Sequence, residues 1–154
     1  MMVMGKRAML AIGAAAVLAA PLAAPLSAQS GEERYGNVGT SLFGDYIVGG
    51  KGAGEDASAD FVAEFDYKDG KVCYALDLVG IKDFTAAHIH KGKKDENGEP
   101  VMELKLSGDG NDVCAPAEVA LMKDMEANQA AYYVSVHTKR FPNGAVRGQL
   151  GPED

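Results

Sequence analysis

Two runs that alternate apolar and polar residues across a turn signal restrict this chain more than any other feature. In Asp60 to Tyr67, Phe61, Ala63, Phe65 and Tyr67 fall on one face, with Asp60, Val62, Glu64 and Asp66 on the other. After Lys68-Asp69-Gly70-Lys71, Val72, Tyr74, Leu76 and Leu78 alternate with Cys73, Ala75 and Asp77. Period-2 alternation describes a strand buried on one face. Asp-Gly supplies the backbone freedom of a tight hairpin. A hairpin cannot bury its apolar face alone, so further strands are required.

The sequence offers them. Thr40 to Val48 reads as a strand interrupted by Gly44, after a loose polar tail from Gln29 onward that the reading extends to residue 39. Phe84 to His90, Val101 to Leu106, Ala131 to Thr138 and Ala145 to Leu150 read as strands. Gly49 to Ser58, Lys91 to Pro100 and Ser107 to Val113 read as Gly- and Asp-rich connections. Pro116 to Gln129 is the one helical stretch, with Val119, Leu121, Met122 and Met125 as its apolar stripe. Seven or so strands and one short helix predict an all-β antiparallel sandwich or barrel. One domain, over residues 40–151, accounts for the chain.

Residues 1–28 are set apart by composition. Lys6 and Arg7 precede an Ala-rich apolar run from Ala8 to Ala20, and Leu26-Ser27-Ala28 offers small residues before Gln29. This is the pattern of a secretory signal peptide cleaved near Ala28, which predicts a secreted or periplasmic protein. The segment inflates the 47% hydrophobic content of the chain. No second apolar run exists to span a membrane. The formal net charge of −7 becomes more negative once Lys6 and Arg7 are removed, which argues against nucleic acid as a partner.

The chain has two cysteines, Cys73 and Cys114. In an oxidising compartment an even pair reads as a disulfide, here closing a loop of about 42 residues and contributing ~4 kcal/mol in the chain-entropy account. Two buried free thiols are the alternative.

All three histidines fall on predicted strands: His88, His90 and His137. The i, i+2 spacing of His88 and His90 puts both rings on one strand face. His137 shares a face with Tyr133 and Ser135. Three imidazoles meeting across two neighbouring strands would suit copper or zinc. Structural hydrogen bonding is the competing role. Arg147 shares a face with Ala145 and Gln149, after the turn Pro142-Asn143-Gly144. It could fork onto Asp83 or Glu103, bind an anion, or lock the hairpin by hydrogen bonds to loop carbonyls.

At these residues the chain resembles bacterial secreted members of the CHRD family, the domain named for its occurrence in chordin. The likeness rests on four stretches: Val72-Cys73-Tyr74-Ala75-Leu76, Ala86-Ala87-His88-Ile89-His90-Lys91-Gly92, Tyr132-Tyr133-Val134-Ser135-Val136-His137-Thr138, and Pro142-Asn143-Gly144-Ala145-Val146-Arg147-Gly148-Gln149-Leu150. It implies an extracytoplasmic antiparallel β-sandwich, Greek-key, immunoglobulin-like or superoxide-dismutase-like, with no established reaction. The chain is also similar, more weakly, to Cu/Zn superoxide dismutase. His88 and His90 match a His-x-His pair of that family, His137 a later copper ligand and Arg147 an anion-guiding arginine. No further histidine is present to complete that family's metal sites, and Cys73 precedes the His pair, where that family's disulfide begins after it.

The resulting expectation is an exported, non-enzymatic binding or structural module. The alternative is a copper- or zinc-binding protein using His88, His90 and His137, with superoxide-dismutase-like redox chemistry as one form of it. No nucleophile–base spacing argues for hydrolysis. An extracellular protein partner would meet the loops Gly49 to Ser58 and Lys91 to Pro100.

Overall fold

The structure, a computed structural model, describes residues 34–107 and 112–151. The expected signal peptide lies outside the described residues. Eight strands form one antiparallel sheet: β1 Tyr35–Phe43, β2 Ser58–Asp66, β3 Lys71–Val79, β4 Phe84–Lys91, β5 Pro100–Leu104, β6 Val113–Pro116, β7 Tyr132–Thr138 and β8 Val146–Gln149. One helix, α1 (Val119–Ala127), precedes β7. The strand order is β5-β4-β7-β8-β1-β2-β3-β6. The all-β antiparallel architecture with one short helix is therefore the one expected. Its facing layers come from a single strongly curled sheet, a half-barrel.

The β2–β3 hairpin follows from its alternation. Ala59, Phe61, Ala63 and Phe65 on β2 and Val72, Tyr74 and Leu76 on β3 are buried, while Asp60, Val62 and Glu64 are exposed. Gly70 takes the positive φ of 61° that its turn requires. Leu42, Ile89, Leu104, Val134, Val136 and Val146 complete the core from the other strands, and Met122 and Met125 of α1 pack into it. Full burial of such a side chain contributes about 1.5–3 kcal/mol.

Several boundaries differ from expectation; the strand read as Thr40 to Val48 stops at Phe43, and Gly44–Tyr46 form a 3-10 turn. β1 begins at Tyr35, so residues 35–39 are strand, not tail. Gly36 and Gly39 interrupt the apolar pattern there, yet β1 pairs with β2 in unbroken register from Tyr35↔Asp66 to Phe43↔Ser58. The helix starts at Val119, because Pro116 ends a strand instead of opening a helix. That strand, β6, was not expected: Val113 was read as the end of a turn and Pro116 as the start of the helix. It has four residues, none buried, so it carries no hydrophobic signal, and it pairs with β3 by placing Cys114 directly opposite Cys73.

Those cysteines form a disulfide bond. A disulfide points to an oxidising, extracytoplasmic compartment. Among the described residues, no helix is long and apolar enough to cross a membrane.

The sheet joins its two halves narrowly. β1 and β8 share the register pair Phe43↔Arg147, where β1 and β2 share nine. Gly148 lets the two strands meet there, since a Cβ on it would lie 2.3 Å from the Ser41 carbonyl oxygen.

Candidate metal centre

Strands β4, β7 and β8 lie side by side, and their registers set out the site. Across β4 and β7, His90 faces Tyr133, His88 faces Ser135 and Ala86 faces His137. Across β7 and β8, Tyr133 faces Gln149 and Ser135 faces Arg147. Directly opposite residues share a sheet face. His88, His90, His137, Tyr133, Ser135, Arg147 and Gln149 therefore stand together on the face away from Ala87, Ile89, Val134, Val136 and Val146. The small side chain of Ser135 is the floor of this grid. His88 and Arg147 flank it across the sheet, and Tyr133 and His137 flank it along β7.

The face is covered by loops, which is why β7 is buried on both sides at Tyr133 and Ser135 as well as at Val134 and Val136. Loop 92–99 folds back over it. Arg147 Nη2 donates to the Lys93 carbonyl at 2.9 Å, and Gln149 Nε2 donates to the Gly92 carbonyl at 2.8 Å. The Gly98 N–H donates to Tyr133 Oη at 3.1 Å. A cleft of about 320 Å³ remains, bordered by His90, Tyr133, Ser135, His137 and Arg147, with Ile47 and Val48 at its side.

The structure brings the three expected histidines together. One ring nitrogen from each of His88, His90 and His137 lies within 4.8 Å of the others. His90 Nδ1 is 2.8 Å from the Gly98 carbonyl oxygen, and His137 Nδ1 is 3.0 Å from that of Pro142. A carbonyl can only accept, so each Nδ1 carries the proton and each Nε2 keeps a lone pair. Both Nε2 atoms and His88 Nδ1 are buried without a hydrogen-bond partner. Burial holds the His90 and His137 imidazoles below their ordinary pKa, against the opposing pull of the carbonyl bonds; neighbouring imidazoles lower both further, and Arg147 lowers His90 as well. Burial thus favours the neutral form of both rings, the form that ligates a metal.

These features fit a metal ion. Zinc–imidazole bonds of about 2.0–2.1 Å place tetrahedral ligand nitrogens roughly 3.4 Å apart, so nitrogens up to 4.8 Å apart would have to approach by about 1.4 Å to share an ion. Carbonyl bonds to Nδ1 are of the kind that orient imidazoles in metal sites. Neither cysteine competes, because both are consumed in the disulfide.

Arg147 is 3% exposed. Its guanidinium lies 3.5 Å from the centroid of the Tyr133 ring, and His90 stacks on that ring at 4.7 Å. Of the roles open to Arg147, the fork onto Asp83 or Glu103 is not seen: neither is its ion-pair partner among the described residues. Glu103 faces His88 on β5, three strands from β8. The hydrogen bond to a loop carbonyl is the contact observed. Sequence reasoning did not reach the carbonyls of Gly98 and Pro142, since backbone acceptors carry no residue signature. The turn Pro142-Asn143-Gly144 was visible, but not its role as a histidine clamp.

Fold and site together define a class: an all-β domain with a disulfide at one flank of its sheet and a histidine cluster on one covered face. Residues 38–150 match the CHRD domain family, and the chain belongs to that family. No curated protein and no solved structure matches it. The likeness to superoxide dismutase gains no support from these comparisons.

Proposed function

We propose that this is an exported CHRD-domain protein whose binding function is to hold one copper or zinc ion at His88, His90 and His137. One observation carries the reading: a ring nitrogen from each of the three histidines lies within 4.8 Å of the others, and each ring has a buried nitrogen without a hydrogen-bond partner. A buried polar atom without a partner costs about 1–3 kcal/mol, and a shared metal ion would satisfy all three. All-nitrogen ligation suits zinc and copper, and three protein ligands leave a coordination position open. Export rests on the Lys6-Arg7 and Ala-rich pattern of residues 1–28 and on the disulfide.

The test is titration of chelator-stripped protein with Zn²⁺ and Cu²⁺. One ion per chain is expected, with affinity falling at least about 100-fold in His88→Ala and His137→Ala. Unchanged affinity in both variants would refute the site. N-terminal sequencing of protein from the extracytoplasmic fraction checks export, with Gln29 as the expected first residue.

A further inference from the structure

The disulfide lies where a reagent can reach it. Its strand β6 ends the sheet, has no buried residue and pairs with β3 alone, from Lys71↔Pro116 to Tyr74↔Val113. Cys114 is exposed, while Cys73 is half-buried. Exposed disulfides are the ones open to thiol exchange. Accessibility sets the course of that exchange. A thiolate attacks Cys114 Sγ, the Cys73–Cys114 bond breaks, and Cys73 leaves as a thiolate. A second thiolate then displaces Cys114 from the mixed disulfide. Both cysteines end reduced, and two molecules of thiol end joined as one disulfide.

Two carboxylates stand beside this course. Glu64 is directly opposite Cys73 on β2, so the two share a sheet face. Asp112 precedes Cys114 by two residues, and Glu64, Cys73 and Asp112 border one surface groove. Neither carboxylate takes part in an ion pair among the described residues. Lys71, two residues before Cys73, faces Asp66. Its charge and that of Arg34 are cancelled by Asp66 and Asp69. Glu64 and Asp112 therefore set the local field. Negative charge arrives at Cys114 with the attacking sulfur, near Asp112, and develops on the departing sulfur of Cys73, beside Glu64.

We infer that the disulfide is a redox latch on β6 with an electrostatic gate: Glu64 and Asp112 hold off anionic thiols and admit cationic ones. The reductant that opens it is a thiol, small or protein-borne, with positive charge beside its sulfur. Opening leaves β6 held by backbone pairing alone, so this edge of the sheet loosens first. β4 and β7, at the other flank, keep their place.

Three small thiols test the gate: cysteamine, which is cationic, 2-mercaptoethanol, which is neutral, and 3-mercaptopropionate, which is anionic. Each is added in excess to the oxidised protein in the presence of a chelator, and cleavage is timed by mass spectrometry after acid quenching. Dividing each rate by that thiol's rate on end-blocked cystine, which is uncharged, removes its intrinsic reactivity. At low salt the corrected rates fall from cysteamine to 2-mercaptoethanol to 3-mercaptopropionate by about 3- to 10-fold per step. Glu64→Gln combined with Asp112→Asn cuts each step below about twofold. Asp45→Asn combined with Glu55→Gln removes as much exposed charge elsewhere and leaves the steps in place. Equal corrected rates in wild type, or steps that the first double variant retains, overturn the gate. Hydrogen exchange reads the latch. In the fully reduced protein the amides of β6 exchange about tenfold faster, and those of β4 and β7 change less. Unchanged exchange in β6, or an equal rise in all three strands, overturns the latch.

Discussion

Gly98 is where the site has no room for a side chain. A Cβ there would lie 1.6 Å from the Lys91 carbonyl oxygen and 2.6 Å from its carbon. Both atoms are backbone, so neither can swing aside. Restoring a normal carbon–oxygen contact of about 3.3 Å requires loop 92–99 and the end of β4 to part by roughly 1.7 Å. The bond that the Gly98 carbonyl accepts from His90 Nδ1, at 2.8 Å, and the one the Gly98 N–H donates to Tyr133 Oη, at 3.1 Å, would both exceed hydrogen-bond range. At about 1 kcal/mol each, Gly98→Ala loses ~2 kcal/mol of stability. For a domain of this size that lowers the melting temperature by about 6–12 °C. The freed His90 ring loses its fixed tautomer, and loss of such an outer contact weakens metal binding about 10- to 100-fold. Thermal melting of the metal-free protein reads the first effect. Competition for Zn²⁺ against a chromophoric chelator reads the second. An unchanged melting temperature would refute the tight crossing. A lowered melting temperature with Zn²⁺ affinity within twofold of wild type would refute the carbonyl's control of His90.

Two further outcomes are expected. Replacing both cysteines by alanine should cost about 2–5 kcal/mol yet leave Zn²⁺ affinity within a few-fold, because β3 and β6 lie at the other flank of the sheet from β4 and β7. A tenfold loss in the zinc titration would contradict that separation. The hydrogen bond from Tyr132, with those from Lys91 and Asn128, holds the Asp124 carboxyl at about 2, below its ordinary 3.8. A depressed carboxylate stabilises the fold fully above its unfolded pKa and loses that contribution as pH falls through the folded value. Asp124→Asn should therefore flatten the fall of melting temperature between pH 3.8 and about 2; an acid limb identical to wild type would count against it.

The sequence disclosed most where one side chain faced core and the next faced solvent. Phe61, Phe65, Val72 and Tyr74 announced their strands because their neighbours were polar. β7 was harder to interpret, since Tyr133 and Ser135 are as buried as Val134 and Val136, and its second face is covered by loops that periodicity cannot foresee. β6 was missed because a four-residue edge strand with no buried residue carries no pattern; its place is set by its pairing with β3. At the site, the spacing of His88 and His90 was sufficient to put both rings on one face. Their meeting with His137 depended on β4 and β7 being neighbours, which strand order alone decides. Arg147 was legible as a site candidate, but its distance from Glu103 was not, because two strands, β4 and β7, intervene.

The position of the disulfide along the chain has a consequence for how the molecule comes apart. It ties residue 73 to residue 114, and the loop so formed contains His88 and His90 but not His137. A metal ion on all three would be a second cross-link whose ends straddle the first. The two closures would interleave along the chain and not nest. Opening the metal link would then release nothing that the disulfide holds, and reducing the disulfide would leave a loop still closed by the ion. Each tether would restrict the unfolded ensemble already shortened by the other, so their stabilisations should not add. The combined effect measures how much slack the 22 residues between Cys114 and His137, which include the end of β6, α1 and most of β7, leave between the two ties.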